Sequence, residues 1–387
     1  MLYWLLDLTR DWLIDSKIYW LFSVLDQVQF RALAAAGLSF AIVLMLGRRV
    51  IAALVRLKIG DSGQSDAELL QQQAQSKANT PTMGGVLIAG AIFISVALLA
   101  DVRQFYIYMG LIVLLWTAAI GAADDWLKLT AKRRGTGRQG LFAWEKLVFQ
   151  LGIGVLVGYF GFTHGDSSAE LDLAHVLNLP FQKTWSGGEI SSSLIYLPMA
   201  AYIILATLML TGMSNAVNIT DGMDGLASGI SCAVAAGLFI LCLVAGETGW
   251  ARYLLVPYVP YSSELAVLAG SMGGACLGFL WWNCAPAQVF MGDTGSLCLG
   301  ALMGYIATIL RQEAVLLIMS GVFLVEIASV VIQVGFFKLT KGKRVFRCAP
   351  YHHHLHLGGW KEQQIVARLW IIAILLVVAA LATIKIR

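Results

Sequence analysis

A chain of 387 residues with 58% hydrophobic and only 13% charged residues has too few charges to cover a water-facing surface, since soluble domains average about 25%. The formal charge of +4 says little as a total, and no nucleic-acid partner is expected. Six cysteines (Cys232, Cys242, Cys276, Cys284, Cys298, Cys348) form no CxxC pair and lie mostly in apolar stretches, which argues for small buried hydrophobes and against disulfides or structural zinc.

In chain order, residues 1–29 come first. Asp7, Arg10, Asp11 and Asp15 interrupt their apolar pattern, and no short apolar core ends in a small-residue cleavage site. An amphipathic segment lying at the membrane interface is expected there. Long apolar runs follow, several approaching the ~20 residues a bilayer-crossing helix needs. Hydropathy and turn signals place about ten spans, near 30–47, 83–101, 105–123, 147–163, 194–212, 226–245, 264–282, 295–310, 315–337 and 367–385. The eighth and ninth are separated only by Arg311, Gln312 and Glu313. The expected fold is therefore an all-α integral membrane protein, one polytopic domain over 1–387 with a cytoplasmic cleft. No internal repeat at a fixed period is visible, which weakens a transporter built from repeats.

Orientation follows from Lys and Arg. Most of them fall in three regions: Arg48 to Lys77, Lys128 to Lys146, and Lys338 to Arg368. That face is read as cytoplasmic, with main loops near 48–82, 124–146, 213–225, 283–294 and 338–366. Both termini are then periplasmic. The basic residues nearest the span ends need no ligand, because the positive-inside bias alone accounts for them.

Five segments on this face break the apolar pattern with polar or glycine clusters. The first is Thr80-Pro81-Thr82-Met83-Gly84-Gly85, preceded by Lys77. Its proline fixes a turn and its glycines permit close backbone approach. Thr82 and the free amides of the following helix can hold an anion, although an ordinary capped helix start accounts for the same residues. The second pairs Asp124 and Asp125 at the end of an apolar span, with Lys128 one turn on. A carboxylate costs roughly 2.5–3.5 kcal/mol at mid-span and less near the interface. Adjacent carboxylates repel, so a proton or a cation is expected between them.

The third segment spaces Asn215, Asn218, Asp221 and Asp224 every three residues, so that neighbours share a face on helical backbone. Gly222 and Gly225 imply that the helix does not persist throughout. Amide donors and acid acceptors in one line suit a sugar, a base or hydrated magnesium. The fourth runs from Asn283 to Ser296. There Asp293 stands between glycines at a loop-to-helix junction, Gly292 precedes it, and Phe290 offers either a stacking face or a core contact. The fifth, Pro350-Tyr351-His352-His353-His354-Leu355-His356, holds four of the chain's six histidines. Imidazoles there can bind phosphate oxygens or move protons; zinc is the rival ligand, unsupported by any cysteine cluster.

No nucleophile elbow, phosphate-binding P-loop or dinucleotide fingerprint appears. Hard carboxylates beside His, Lys and Arg suit Mg²⁺ bridging substrate phosphates, which points to metal-assisted phosphoryl chemistry. A secondary transporter with ion-binding aspartates and a zinc-dependent membrane hydrolase are the readings from other classes.

The segments TPTMGG, DDWLK, NAVNITDGMDGLA, FMGDTGSLCLG and PYHHH resemble those of the phospho-N-acetylmuramoyl-pentapeptide-transferases, within the superfamily of polyprenyl-phosphate phosphosugar transferases. The likeness runs from about Phe30 to Arg387. It implies the donor UDP-N-acetylmuramoyl-pentapeptide, the acceptor undecaprenyl phosphate, UMP as by-product, Mg²⁺ as cofactor, a homodimer, and a place in the bacterial inner membrane. By that resemblance Asp293 is the metal ligand, and Asp124, Asp125, Asp293 and His353 are catalytic. Lys77, Thr82, Lys128, Asn215, Asn218, Asp221, Asp224, Asn283, Phe290, Gly292, Gln333, His352 and His354 bind substrate. The chain departs from the family pattern at Asn79, Gln139, His356 and Gly358. A sister enzyme that transfers N-acetylhexosamine 1-phosphate is the nearest alternative.

Overall fold

The computed structural model describes residues 1–56, 80–134, 140–165, 173–186 and 189–385. Lys77, Asn79 and Gln139 lie outside them. Fifteen α-helices are named here, in chain order. They are α1 (Leu2–Asp15), α2 (Tyr19–Phe22), α3 (Val28–Arg56), α4 (Gly85–Leu99), α5 (Phe105–Arg134), α6 (Ala143–Gly165), α7 (Met199–Thr220), α8 (Leu226–Ala245), α9 (Thr248–Tyr253), α10 (Leu265–Asn283), α11 (Gly292–Ile309), α12 (Glu313–Met319), α13 (Gly321–Leu339), α14 (Tyr351–His356) and α15 (Glu362–Lys385).

Among the described residues, eight helices are long and apolar enough to cross a membrane: α3, α5, α6, α7, α8, α10, α13 and α15. The expected second and eighth spans fall on α4, which is shorter, and on α11, which opens on Asp293. The expected ninth span is two helices, α12 and α13, meeting at Ser320. Two expected loops are largely helix: α5 continues past Asp124 to Arg134, and α7 runs to Thr220. Hydropathy ends a span at the first charge, whereas the helix persists because Asp124, Asn215 and Asn218 find side-chain or backbone partners. Four short strands also form, pairing as Val176–Leu177 with Ile195–Tyr196 and Trp185–Ser186 with Glu189–Ile190.

Two helices occupy the centre. In α11 every residue from Asp293 to Ile309 is buried, and α11 packs on α5, α7 and α4. In α10 most residues are buried, against α3 and α8. Close approach depends on small residues, as is usual between helices in lipid. A Cβ added at Gly274 would lie 2.0 Å from the Ala36 carbonyl oxygen of α3, and one at Gly300 would lie 2.3 Å from the Met213 carbonyl oxygen of α7. Exposed Val, Ile, Leu and Phe side chains cover the outer faces of α6, α13 and α15, as a lipid-facing surface requires.

The end of the bundle away from the acidic cluster has its own polar seam. Arg31 of α3 donates to Glu264 at 2.8 Å and to the Leu99 carbonyl at the end of α4. Glu264 also accepts the Asp101 N–H at 3.2 Å. There α1 and the turn after α2 tie in through Arg10 to Asp26 and Arg103 to Asp7.

Candidate functional site

The acidic cluster forms where α5 meets the start of α11. Asp124 and Asp125 follow one another on a helix, so their side chains leave in different directions. Asp125, 3% exposed, turns to the first turn of α11. One oxygen accepts the Asp293 N–H at 3.1 Å, and the other accepts the Thr294 N–H at 3.0 Å and its hydroxyl at 2.6 Å. These are amides that a helix leaves without internal partners, and a carboxylate at a helix N-terminus is further favoured by the helix dipole. Gly292 permits the fit: its φ is +72°, and a Cβ there would lie 2.8 Å from Asp125 Oδ2.

Asp124, 1% exposed, turns the other way. It accepts the Leu141 N–H at 2.7 Å, lies 2.6 Å from Lys128 Nζ and lies 3.4 Å from Lys146 Nζ. Asp293 meets the same two ammonium groups, at 3.3 Å from Lys128 and 2.9 Å from Lys146, and accepts from Asn218 Nδ2 at 2.9 Å. Asn218 also donates to Ser296 Oγ. Ligand oxygens of Asp124, Asp125 and Asp293 all lie within 4.8 Å of one another.

Two lysines thus occupy positions where a cation belongs. Their nitrogens stand in for positive charge that a metal would supply, and the oxygen-only donor set suits a hard ion such as Mg²⁺. Asp293 and Asp124, each of which faces both ammonium groups, fit as ligands better than Asp125. The oxygens of Asp125 already accept three hydrogen bonds from α11.

The end of α7 closes the cluster on a second side. Beyond Thr220 the chain turns through Asp221 and Gly222 to Gly225, whose φ of +78° breaks the helix. The half-buried Asp221 carboxyl is pushed up to about 7 by loss of solvent and then by the negative charges of Asp293 and Asp125. Asp224 accepts the Ala287 N–H at 3.0 Å, while its own N–H donates to Glu362 at 3.1 Å. Asn283 accepts from the Gly225 N–H and the Ser228 hydroxyl and donates to the Val289 carbonyl. Asn215 donates to Gln150 and to Thr211 O. Of the four polar residues at three-residue spacing, Asn218 and Asp221 belong to the cluster. Asp224 and Asn283 bond to the surrounding backbone, and Asn215 bonds to the Gln150 side chain and to its own helix.

The TPTMGG and FMGD segments, 200 residues apart, lie against each other. Phe290 N–H donates to Pro81 O, Gly84 N–H to Phe290 O and Gly85 N–H to Met291 O, each at 2.8 Å. Thr82 and Phe290, both half-buried, sit in this pairing.

The histidine segment forms the short helix α14. His352 is fully buried, and its Nδ1 donates to Glu326 of α13 at 3.0 Å. The half-buried His353 ring lies 4.2 Å from the His352 ring. Burial, with smaller contributions from His352 and His356, pushes the His353 imidazole down to about 3, so it is neutral at physiological pH. His354 stacks on Tyr351 and accepts the Arg347 N–H at 3.1 Å. Gln333 accepts the Val345 and Phe346 amides. The histidine and acidic segments meet at Gly222, where a Cβ would lie 2.5 Å from His352 Nε2.

Three partners were absent from the sequence-derived site. Lys146 bridges Asp124 and Asp293, but among the lysines and arginines of the basic loops nothing in the sequence marks it. Gln150 supports Asn215 and Ser214, equally without a signature. Glu326 carried a signal: a lone acid inside an apolar run is a functional residue by default.

The cluster sits among helices long and apolar enough to cross a membrane, and the glycosyl transferase family 4 model, which matches residues 106–311, makes the chain a membrane-embedded transferase. A phospho-N-acetylmuramoyl-pentapeptide-transferase signature matches residues 77–88. The chain is 40% identical over 366 residues to the phospho-N-acetylmuramoyl-pentapeptide-transferase of Desulfotalea psychrophila, covering 95% of this chain and 96% of that protein. The chain belongs to glycosyl transferase family 4 and, within it, to the phospho-N-acetylmuramoyl-pentapeptide-transferases.

Proposed function

We propose that the chain transfers phospho-N-acetylmuramoyl-pentapeptide from its UDP-linked donor to undecaprenyl phosphate, releasing UMP, with Mg²⁺ bound at Asp293 and Asp124. The observation that carries this reading is the approach of Asp124, Asp125 and Asp293 within 4.8 Å under two lysines, in a chain of this family. The bound ion would neutralise diphosphate charge. Lys128 and Lys146, once released from the carboxylates, reach the phosphates of donor and acceptor. Asp124 orients or deprotonates the acceptor phosphate. Asp125 keeps α11, and hence Asp293, in place. Asn218 and Asp221 face the nucleotide-sugar side, with Thr82 and Phe290 on the paired segments and Lys77 ahead of them. Most of the acceleration on this reading comes from positioning and preorganised charge.

The reading includes a cytoplasmic cleft, ten crossings and periplasmic termini, supported by the basic loops and by helices at each of the ten ranges, and a homodimer, which rests on the family resemblance alone. Purified protein with both substrates, with and without Mg²⁺, beside Asp293→Asn tests the chemistry. Lipid product is expected only with Mg²⁺ and native Asp293. Full transfer by the variant overturns the metal assignment, and transfer from UDP-N-acetylglucosamine in place of the muramoyl donor points to the sister activity. A covalent phosphosugar–enzyme formed with donor alone would replace direct attack by a two-step route.

A further inference from the structure

We infer that Glu326 is a positioning residue for the transfer, holding His352 in one tautomer so that the histidine segment is registered against the acidic turn. The inference rests on the site proposed above. Helix α14 has six residues, too few to be stable alone, since isolated helices below about 12 residues are marginal. Its place is set from outside, and α13 supplies the anchor at two points about two turns apart on one face. Gln333 accepts the Val345 and Phe346 amides where the segment begins. Glu326 Oε2 accepts both the backbone N–H of His352, at 3.2 Å, and its ring Nδ1–H, at 3.0 Å.

Both Glu326 and His352 are 0% exposed, so solvent does not compete for this pair. A carboxylate only accepts, so the proton lies on Nδ1. Nε2 is then the atom turned outward, onto Gly222 beside Asp221. Among the described residues Nε2 makes no hydrogen bond, nor do Glu326 Oε1 and His353 Nδ1. A carboxylate behind an imidazole that faces a reaction centre is the usual means of fixing ring orientation. Here it fixes the ring next to His353 as well.

A double-mutant cycle tests this with Glu326→Gln and His352→Asn, whose amide can still donate to Glu326. Wild-type turnover of both substrates, measured first, tests the functional reading separately. Glu326→Gln alone should lower kcat about 10–100-fold, the range for losing such a partner, with KM for donor and acceptor unchanged. In the His352→Asn background the same change should have little further effect, because its route of action is already gone. Equal losses in both backgrounds overturn the inference, and a folding defect of Glu326→Gln would appear that way, since it persists in either background. An unchanged kcat in Glu326→Gln overturns it too.

Discussion

Both oxygens of Asp125 accept from the first turn of α11, whereas those of Asp124 accept from Leu141 and face two lysines. Asparagine at either position therefore has a different cost. In Asp125→Asn an amide nitrogen faces N–H donors, leaving a buried donor unmade at about 1–3 kcal/mol. A lower thermal midpoint in detergent is expected together with lost transfer. Asp124→Asn should lose transfer with a smaller stability change, because a flexible lysine can withdraw to water. Asp221 makes a pH prediction. Its folded pKa of about 7 lies above the ordinary 3.8, so the folded protein keeps a proton that the unfolded chain gives up. Stability from this group is complete below pH 3.8 and is lost as pH rises to 7. The metal-free thermal midpoint of Asp221→Asn should gain on wild type across that window, and a constant difference would refute it. The four acidic residues of this cluster were legible in the sequence: Asp124 and Asp125 because charge at the end of an apolar run is costly, Asp221 from its three-residue spacing and Asp293 from its place between glycines. Their division of labour was not, because it depends on which way consecutive side chains leave one helix.

At the scale of elements, the cluster depends on how closely α4 and α11 approach. A Cβ at Gly85 would lie 2.0 Å from the Gly295 backbone nitrogen, whereas one at Gly90, on the same helix, meets nothing within 4 Å. Gly85→Ala must push backbone from backbone, which costs about 1–3 kcal/mol or more, and should abolish transfer by displacing Asp293. Gly90→Ala is its matched control and should retain wild-type transfer and midpoint. Comparable loss in both would show that the close approach of Gly85 to Gly295 does not decide, since Ala is the better helix former at either position. Helix positions were readable from hydropathy, yet the backbone contact of Pro81–Gly85 with Phe290–Met291 was not. A pairing between segments so far apart leaves no periodic trace, and its hydrogen bonds are made by backbone, which sequence does not encode residue by residue.

Across the whole molecule, the acidic cluster and the Arg31–Glu264 seam are separated along the length of α4. Gly85 lies at the end with the acidic cluster and Leu99 at the Arg31–Glu264 seam, so α4 alone sets about 20 Å between them at 1.5 Å per residue. Arg31→Met should leave Glu264 buried and unpaired, at roughly 3–5 kcal/mol. Its expected signature is a lower midpoint with unchanged KM for both substrates; a raised KM would mean that the seam communicates with the cleft. The sequence carries no sign of this pair, since partners 233 positions apart meet through tertiary packing. The burial of α11 along its whole length carries a final consequence. Bilayers of different thickness act by tilting helices that touch acyl chains, and α3, α13 and α15 do, whereas the post bearing Asp293 is sheathed by protein on every side. Turnover in vesicles of short-chain and long-chain lipids should therefore vary through capture of the lipid substrate, with the intrinsic step on the central post left untouched.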